Sequence, residues 1–180
     1  MKTYIALFRG INVGGRNTLP MKELVARLED LGCEDVRTYI QSGNAVFRHG
    51  AQDAPQLAER ISTAIRTNHG FKPDVLLLTA DDLERAVASN PFPDAESEPS
   101  RLLLFFLAGS AASPDPAVID RLRNDNERFV LKSDVAYLHA PDGIGRSRLA
   151  SGLEKALKVA ATGRNWRSVT KILEMARQFT

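Results

Sequence analysis

Tyr39-Ile40-Gln41-Ser42-Gly43-Asn44-Ala45-Val46-Phe47 places β-branched and aromatic residues on both sides of a serine–glycine pair. That pattern reads as a hairpin with a tight turn, its strands covering 36–41 and 44–48. Helices flank it on both sides. Upstream, Pro20 sits in a first turn, Met21, Leu24, Val25, Leu28 and Leu31 recur at helical spacing, and Gly32 ends the run. Downstream, Asp53 reads as an N-cap with Pro55 near the helix start, and Leu57, Ile61, Ala64 and Ile65 form one face up to Gly70. Apolar strands at 3–8 and 75–78 close the set. The order strand, helix, strand, strand, helix, strand is that of a ferredoxin-like unit.

The same order recurs further along. Thr79 and Asp82 resemble a capping box for a helix over 81–89 that stops at Asn90-Pro91, and the proline- and acid-rich stretch 91–100 reads as a linker. After it come a buried strand at 102–108, a helix opened by Asp115 and Pro116, and a hairpin of 129–131 with 135–139. A helix on Leu149, Leu153 and Leu157, a short strand at 158–161 and a last helix from Trp166 complete the chain. Leu131-Lys132-Ser133-Asp134-Val135-Ala136-Tyr137-Leu138 even aligns by residue type with 40–47. The expected fold is α+β, a tandem duplication of two ferredoxin-like (α/β-plait, βαββαβ) halves, 1–90 and 101–180, each with an extra helix.

The strands at 3–8, 75–78 and 102–108 are apolar on both faces, which calls for cover on both sides of each sheet by the extra helices or the other half. An RNA-reading sheet of this topology needs an open face with exposed aromatics, so that function is excluded.

Charge is nearly balanced, 24 Lys+Arg against 22 Asp+Glu in 180 residues, unlike a dedicated nucleic-acid binder. Cys33 is the single cysteine, which excludes an internal disulfide and a multi-cysteine zinc site and points to a reducing compartment. The apolar run before Arg9 is too short for a signal peptide, and the run 102–108 is too short for a bilayer, which needs roughly 20 residues. The expectation is a cytoplasmic protein with no membrane partner.

Three separated stretches carry a resemblance: Phe8-Arg9-Gly10-Ile11-Asn12-Val13-Gly14-Gly15, the hairpin 39–47, and Arg164-Asn165-Trp166 followed by Val169. Together they resemble the bacterial domain-of-unknown-function family 1697. The resemblance implies two α/β-plait halves and brings no activity, cofactor or catalytic residue.

In a ferredoxin-like unit the loop after the first strand and the turn between the second and third strands lie at the same end of the sheet. Arg9, Asn12, Gly14, Gly15 and Asn17 are therefore expected beside Ser42 and Asn44, with a helix start nearby, an arrangement suited to a phosphate or carboxylate. The alternative is that the glycines and asparagines only shape tight turns and Arg9 pairs with an acid. A second cluster comprises Arg146 and Arg148 before one helix and Arg164 before the last. There Trp166 can stack on a ligand or, the favoured reading, plug the core, while Ser147 and Asn165 serve as N-caps.

Catalytic sets are missing. His49, His69 and His139 are scattered and form no metal site, Ser42 has no visible base or oxyanion hole, and Asp81, Asp82, Asp94, Glu96 and Glu98 suit a helix start and a solvated linker. No cofactor is implied. The sequence supports binding of an anionic ligand (nucleotide, phosphorylated metabolite or nucleic-acid backbone). Two alternatives stay open: an enzyme acting on a phosphorylated small molecule with the same loops, Ser42 or Tyr39 moving a proton, and a structural or protein-interaction module. Oligomeric state is not encoded legibly.

Overall fold

A computed structural model describes residues 1–111 and 114–179. The first half runs β1 (Lys2–Arg9), α1 (Met21–Asp30), β2 (Glu34–Tyr39), β3 (Asn44–His49), α2 (Ala54–His69) and β4 (Asp74–Thr79), followed by α3 (Ala80–Ala88). The second runs β5 (Leu102–Leu107), α4 (Pro116–Leu122), β6 (Arg128–Lys132), β7 (Val135–His139), α5 (Arg148–Leu157) and β8 (Ala161–Asn165), followed by α6 (Trp166–Arg177). Each half is a four-stranded sheet, ordered β2-β3-β1-β4 and β6-β7-β5-β8, with antiparallel neighbours throughout. The fold is two tandem βαββαβ units of one topology.

The chain forms two compact units, one of Met1–Arg85 with Lys171–Thr180 and one of Ala86–Thr170. In the first, Tyr4, Ala6 and Phe8 of β1 meet Leu24 and Leu28 of α1 and Leu57, Ile61 and Ile65 of α2 in one buried cluster. The helices form because Asp53 caps α2 through Gln56 N at 2.9 Å and Gly70, at φ 77°, ends it. On the other face of β1, Ile5 and Leu7 are equally buried. In the second unit Leu103, Phe105 and Leu107 pack with Leu149, Leu153 and Leu157 of α5. Tyr137 lies on the opposite face, where its hydroxyl donates to the Ala86 carbonyl of α3 at 2.7 Å.

Two stretches differ from expectation. The segment 91–100 is folded: Pro93–Ser97 is a 3-10 turn, Phe92 and Ala95 are buried, and Arg128 ties to Asp94 at 2.7 and 3.1 Å while lying 4.7 Å over the Phe92 ring. The last strand is Ala161–Asn165 rather than 158–161. Lys158 caps α5 in the left-handed region at φ 55°, and β8 is selected by its register with β5, in which Gly163 faces Phe105. A Cβ on Gly163 would stand 2.8 Å from the Phe105 ring, so that pairing needs glycine.

Burial pushes the Cys33 thiol and the Tyr137 phenol up to about 12, from ordinary values of 9.0 and 10.0. The stability carried by these retained protons is fully present below pH 9 and is lost as pH rises toward 12, because the unfolded chain ionises first. The unfolding free energy, measured in urea, is expected to fall over that window. It should fall less in Cys33→Ala/Tyr137→Phe, and an equal slope in the variant would contradict this.

Candidate functional site

At one end of the first sheet the loop after β1 and the β2–β3 turn are joined. Leu7 pairs with Asn44 and Arg9 with Asp74, which sets the loop 10–17 against residues 40–43. The Phe8 N–H donates to the Gly43 carbonyl at 2.8 Å, and Ile11 is buried. Gly43, at φ 81°, is indispensable there: a Cβ would lie 2.7 Å from Ile11 Cδ1 and 2.8 Å from Phe8 Cβ.

Asn12 is the clasp. Its amide Nδ2 donates to the carbonyls of Leu19 at 3.0 Å and Gln41 at 2.9 Å, and its Oδ1 accepts from Leu19 N at 2.8 Å. Asn17 Nδ2 donates to the Gly10 carbonyl at 2.7 Å. Between them, Val13 and Arg16 bridge around Gly14 and Gly15, whose φ values of 57° and 74° suit the two-residue turn of a small hairpin. Asn44, fully buried, donates to Tyr39 O and Ser42 Oγ, both at 3.1 Å. Arg9 donates through Nε to Asp74 Oδ2 at 3.0 Å and forms an ion pair with it.

The loop that carries Arg9, Asn12, Gly14, Gly15 and Asn17 and the turn that carries Ser42 and Asn44 are thus joined through Phe8, Ile11 and Asn12. Their amides, however, are bonded to the loop itself, and the Arg9 charge is met by Asp74. Ile40, a β-branched residue at φ 50° and 51 % exposed, is the one backbone position here that runs against its own preference. Sequence reading missed it, and no residue-type signal marks it.

In the second unit Arg146 lies in the 3-10 turn Ile144–Arg146 and Arg148 opens α5, both exposed. Between them Ser147 is buried, and its hydroxyl accepts from Ala150 N at 3.0 Å, the N-cap expected of it. Arg148 N and Leu149 N, at the first two helical positions, have no intrahelical acceptor. Leu122, Gly145, Arg146, Ser147, Arg148, Ser151 and Gly152 line a shallow, wide-open groove of about 410 Å³. Neither Arg146 nor Arg148 meets a carboxylate among the described residues.

Arg164 corrects the expectation of a loop residue at the start of the last helix. It lies within β8, paired in register with Leu104, and is absent from the residues lining that groove. Its Nη1 donates to the Gly163 carbonyl at 2.8 Å, and burial lowers its pKa from 12.5 to about 10. Asn165 caps α6 by accepting from Ser168 N at 2.9 Å, and Trp166 is buried, as the packing reading holds.

His49 accepts from Ala51 N at 2.9 Å through Nδ1, and among the described residues no group of three or more metal-ligating side chains gathers. No helix among the described residues is long and apolar enough to cross a membrane.

This architecture defines a class, proteins made of two tandem α/β plaits. The chain belongs to the family described as Protein of unknown function (DUF1697), which it matches over residues 1–137. Among solved structures it is similar to conserved bacterial protein SP0830 from Streptococcus pneumoniae, at 27% identity and a TM-score of 0.70, over 97% of this chain and 98% of that one. No match is found among curated proteins.

The clasp has a measurable consequence. Asn12→Ala removes three hydrogen bonds and should lower the urea unfolding free energy by about 2 to 3 kcal/mol, at about 1 kcal/mol per bond. Arg9→Ala breaks an exposed pair and should cost less than about 1 kcal/mol. The reverse ranking would show that the ion pair, not the amide, holds the loop.

Proposed function

We propose that the protein binds a phosphate-bearing small molecule in the groove where α5 begins. One observation carries this reading: two guanidinium groups, Arg146 and Arg148, border a groove of about 410 Å³, and no carboxylate among the described residues neutralises either. A phosphate entering there gains charge-assisted, bidentate hydrogen bonds without first displacing an internal partner.

The loop after β1 offers less. An anion at Arg9 must compete with Asp74, and one at Asn12, Asn17 or Asn44 must break bonds that shape the loop. Those side chains, with Gly14, Gly15 and Ser42, serve the architecture in this reading. Arg164 stands outside the groove and is not part of the site.

The groove's hydroxyls are also committed. Ser147 Oγ caps α5, and Ser151 Oγ donates to the Ser147 carbonyl at 3.1 Å. The reading is therefore binding, not turnover, and it includes no general base or nucleophile.

Calorimetric titration with inorganic pyrophosphate at low ionic strength tests it, since screening by salt weakens exposed charges. Arg146→Ala/Arg148→Ala should lose at least tenfold in affinity, and Arg9→Ala should bind as the native protein does. Unchanged affinity in the double variant, or loss in Arg9→Ala, would overturn the assignment.

A further inference from the structure

Two helices of the second unit leave a hollow of about 470 Å³ between them. α4 follows β5 and α5 follows β7, and because those strands are antiparallel the helices run in opposite directions. α4 lines the hollow with Val118, Arg121 and Leu122, and α5 with Gly152, Lys155 and Ala156. In each helix these are positions i, i+3 and i+4, one continuous face.

Small residues on α5 create the space. At Gly152 the helices touch: a Cβ there would stand 3.1 Å from Leu122 Cδ1, and this contact separates the hollow from the groove at Arg146. One turn further along α5, Ala156 offers only a methyl group, and the half-buried Val118 of α4 leaves the gap open. Beneath, Ile119, Leu153 and Leu157 belong to the buried core and close the floor. From Gly152 to Lys158 the hollow runs roughly 9 Å at 1.5 Å per residue.

Its rim is cationic. Arg121, Lys155 and Lys158 are exposed, and none of the three forms an ion pair among the described residues. The acids of the two helices have other partners: Asp120 meets Arg123 at 3.3 Å, and Glu154 accepts from Ala161 N at 2.8 Å. Asp115, the one acid in the lining, accepts from Ala117 N at 2.9 Å to cap α4. The hydrocarbon stems of the three cations extend the apolar walls while their charged heads stay in water.

We propose that this hollow, independently of the phosphate groove, binds a small apolar carboxylate, a medium-chain acyl acid. The acyl tail lies between the helices along Val118, Leu122 and Ala156, where the open space is apolar. The carboxylate is met by Lys155 and Lys158, three residues apart on α5, with Arg121 adding positive charge from the facing helix. A phosphate alone would leave the apolar walls uncovered, and an uncharged chain would leave the three cations unused. The volume suits a small-molecule site, for which a few hundred cubic ångström is typical.

Calorimetric titration of the native protein with octanoate, octanol and octylammonium, each below its aggregation limit, tests both halves of the proposal. Octanoate should bind saturably and about fivefold or more tightly than octanol, and octylammonium more weakly than either. Lys155→Ala/Lys158→Ala should lower octanoate to the affinity of octanol and leave octanol unchanged. Ala156→Leu, which fills the hollow, should abolish binding of both while its urea unfolding transition stays cooperative. Equal binding of octanoate and octanol, or an octanoate preference that survives in the lysine variant, overturns the charge pairing. Absence of saturable octanoate binding, or undiminished binding in a folded Ala156→Leu, overturns the site.

Discussion

A strand buried on both faces has no recourse to water for its backbone, so its N–H and C=O groups must be met by neighbouring strands. β1 is such a strand: Tyr4, Ile5, Ala6, Leu7 and Phe8 are each no more than 1 % exposed. β5, with Leu102 to Leu107 all buried, is the other. Each answers the constraint with two antiparallel partners, β3 and β4 for one and β7 and β8 for the other. A plait with its first strand in the interior of the sheet follows, and so does the position of every loop.

At one end of the first sheet that arrangement crowds two turns against a packed core, with Ile11 and Gly43 in contact distance. Polar groups next to a dry interior cost free energy unless bonded, so buried Asn44 and half-buried Asn12 are drawn into the loop's own carbonyls, and exposed Asn17 bonds the Gly10 carbonyl as well. The surface over α4 and α5 is under no such demand. There the apolar core lies beneath the helices; Arg123 pairs with Asp120, whereas Arg121, Arg148 and Lys155 form no ion pair among the described residues. The charge that packing has not used accordingly lies there.

Much of this was legible in the residues themselves. Periodicity located α1, α2 and α5, and the Ser42-Gly43 pair located the hairpin, because a helix face and a tight turn are written in local spacing. β8 was not legible. Ala161-Thr162-Gly163-Arg164-Asn165 has no alternation and few strand formers, and it is a strand because Gly163 admits the Phe105 ring across the sheet. Lys158-Val159-Ala160-Ala161 reads better locally and loses to that tertiary fit. Likewise, topology placed the loop 10–17 beside the turn 40–43, but residue types do not tell whether an asparagine amide faces its own loop or a ligand. The close contact of Leu122 with Gly152, thirty residues away in the chain, is likewise announced by no local pattern.

The central claim is that the ligand-accessible charge lies at the start of α5 and that the loop after β1 is architectural. Amide chemical shifts recorded while phosphate is added to isotope-labelled protein test it most directly. The account predicts saturable shifts at residues 145–152, with 10–17 and 40–44 unmoved. Saturable shifts confined to 10–17 and 40–44 would contradict it.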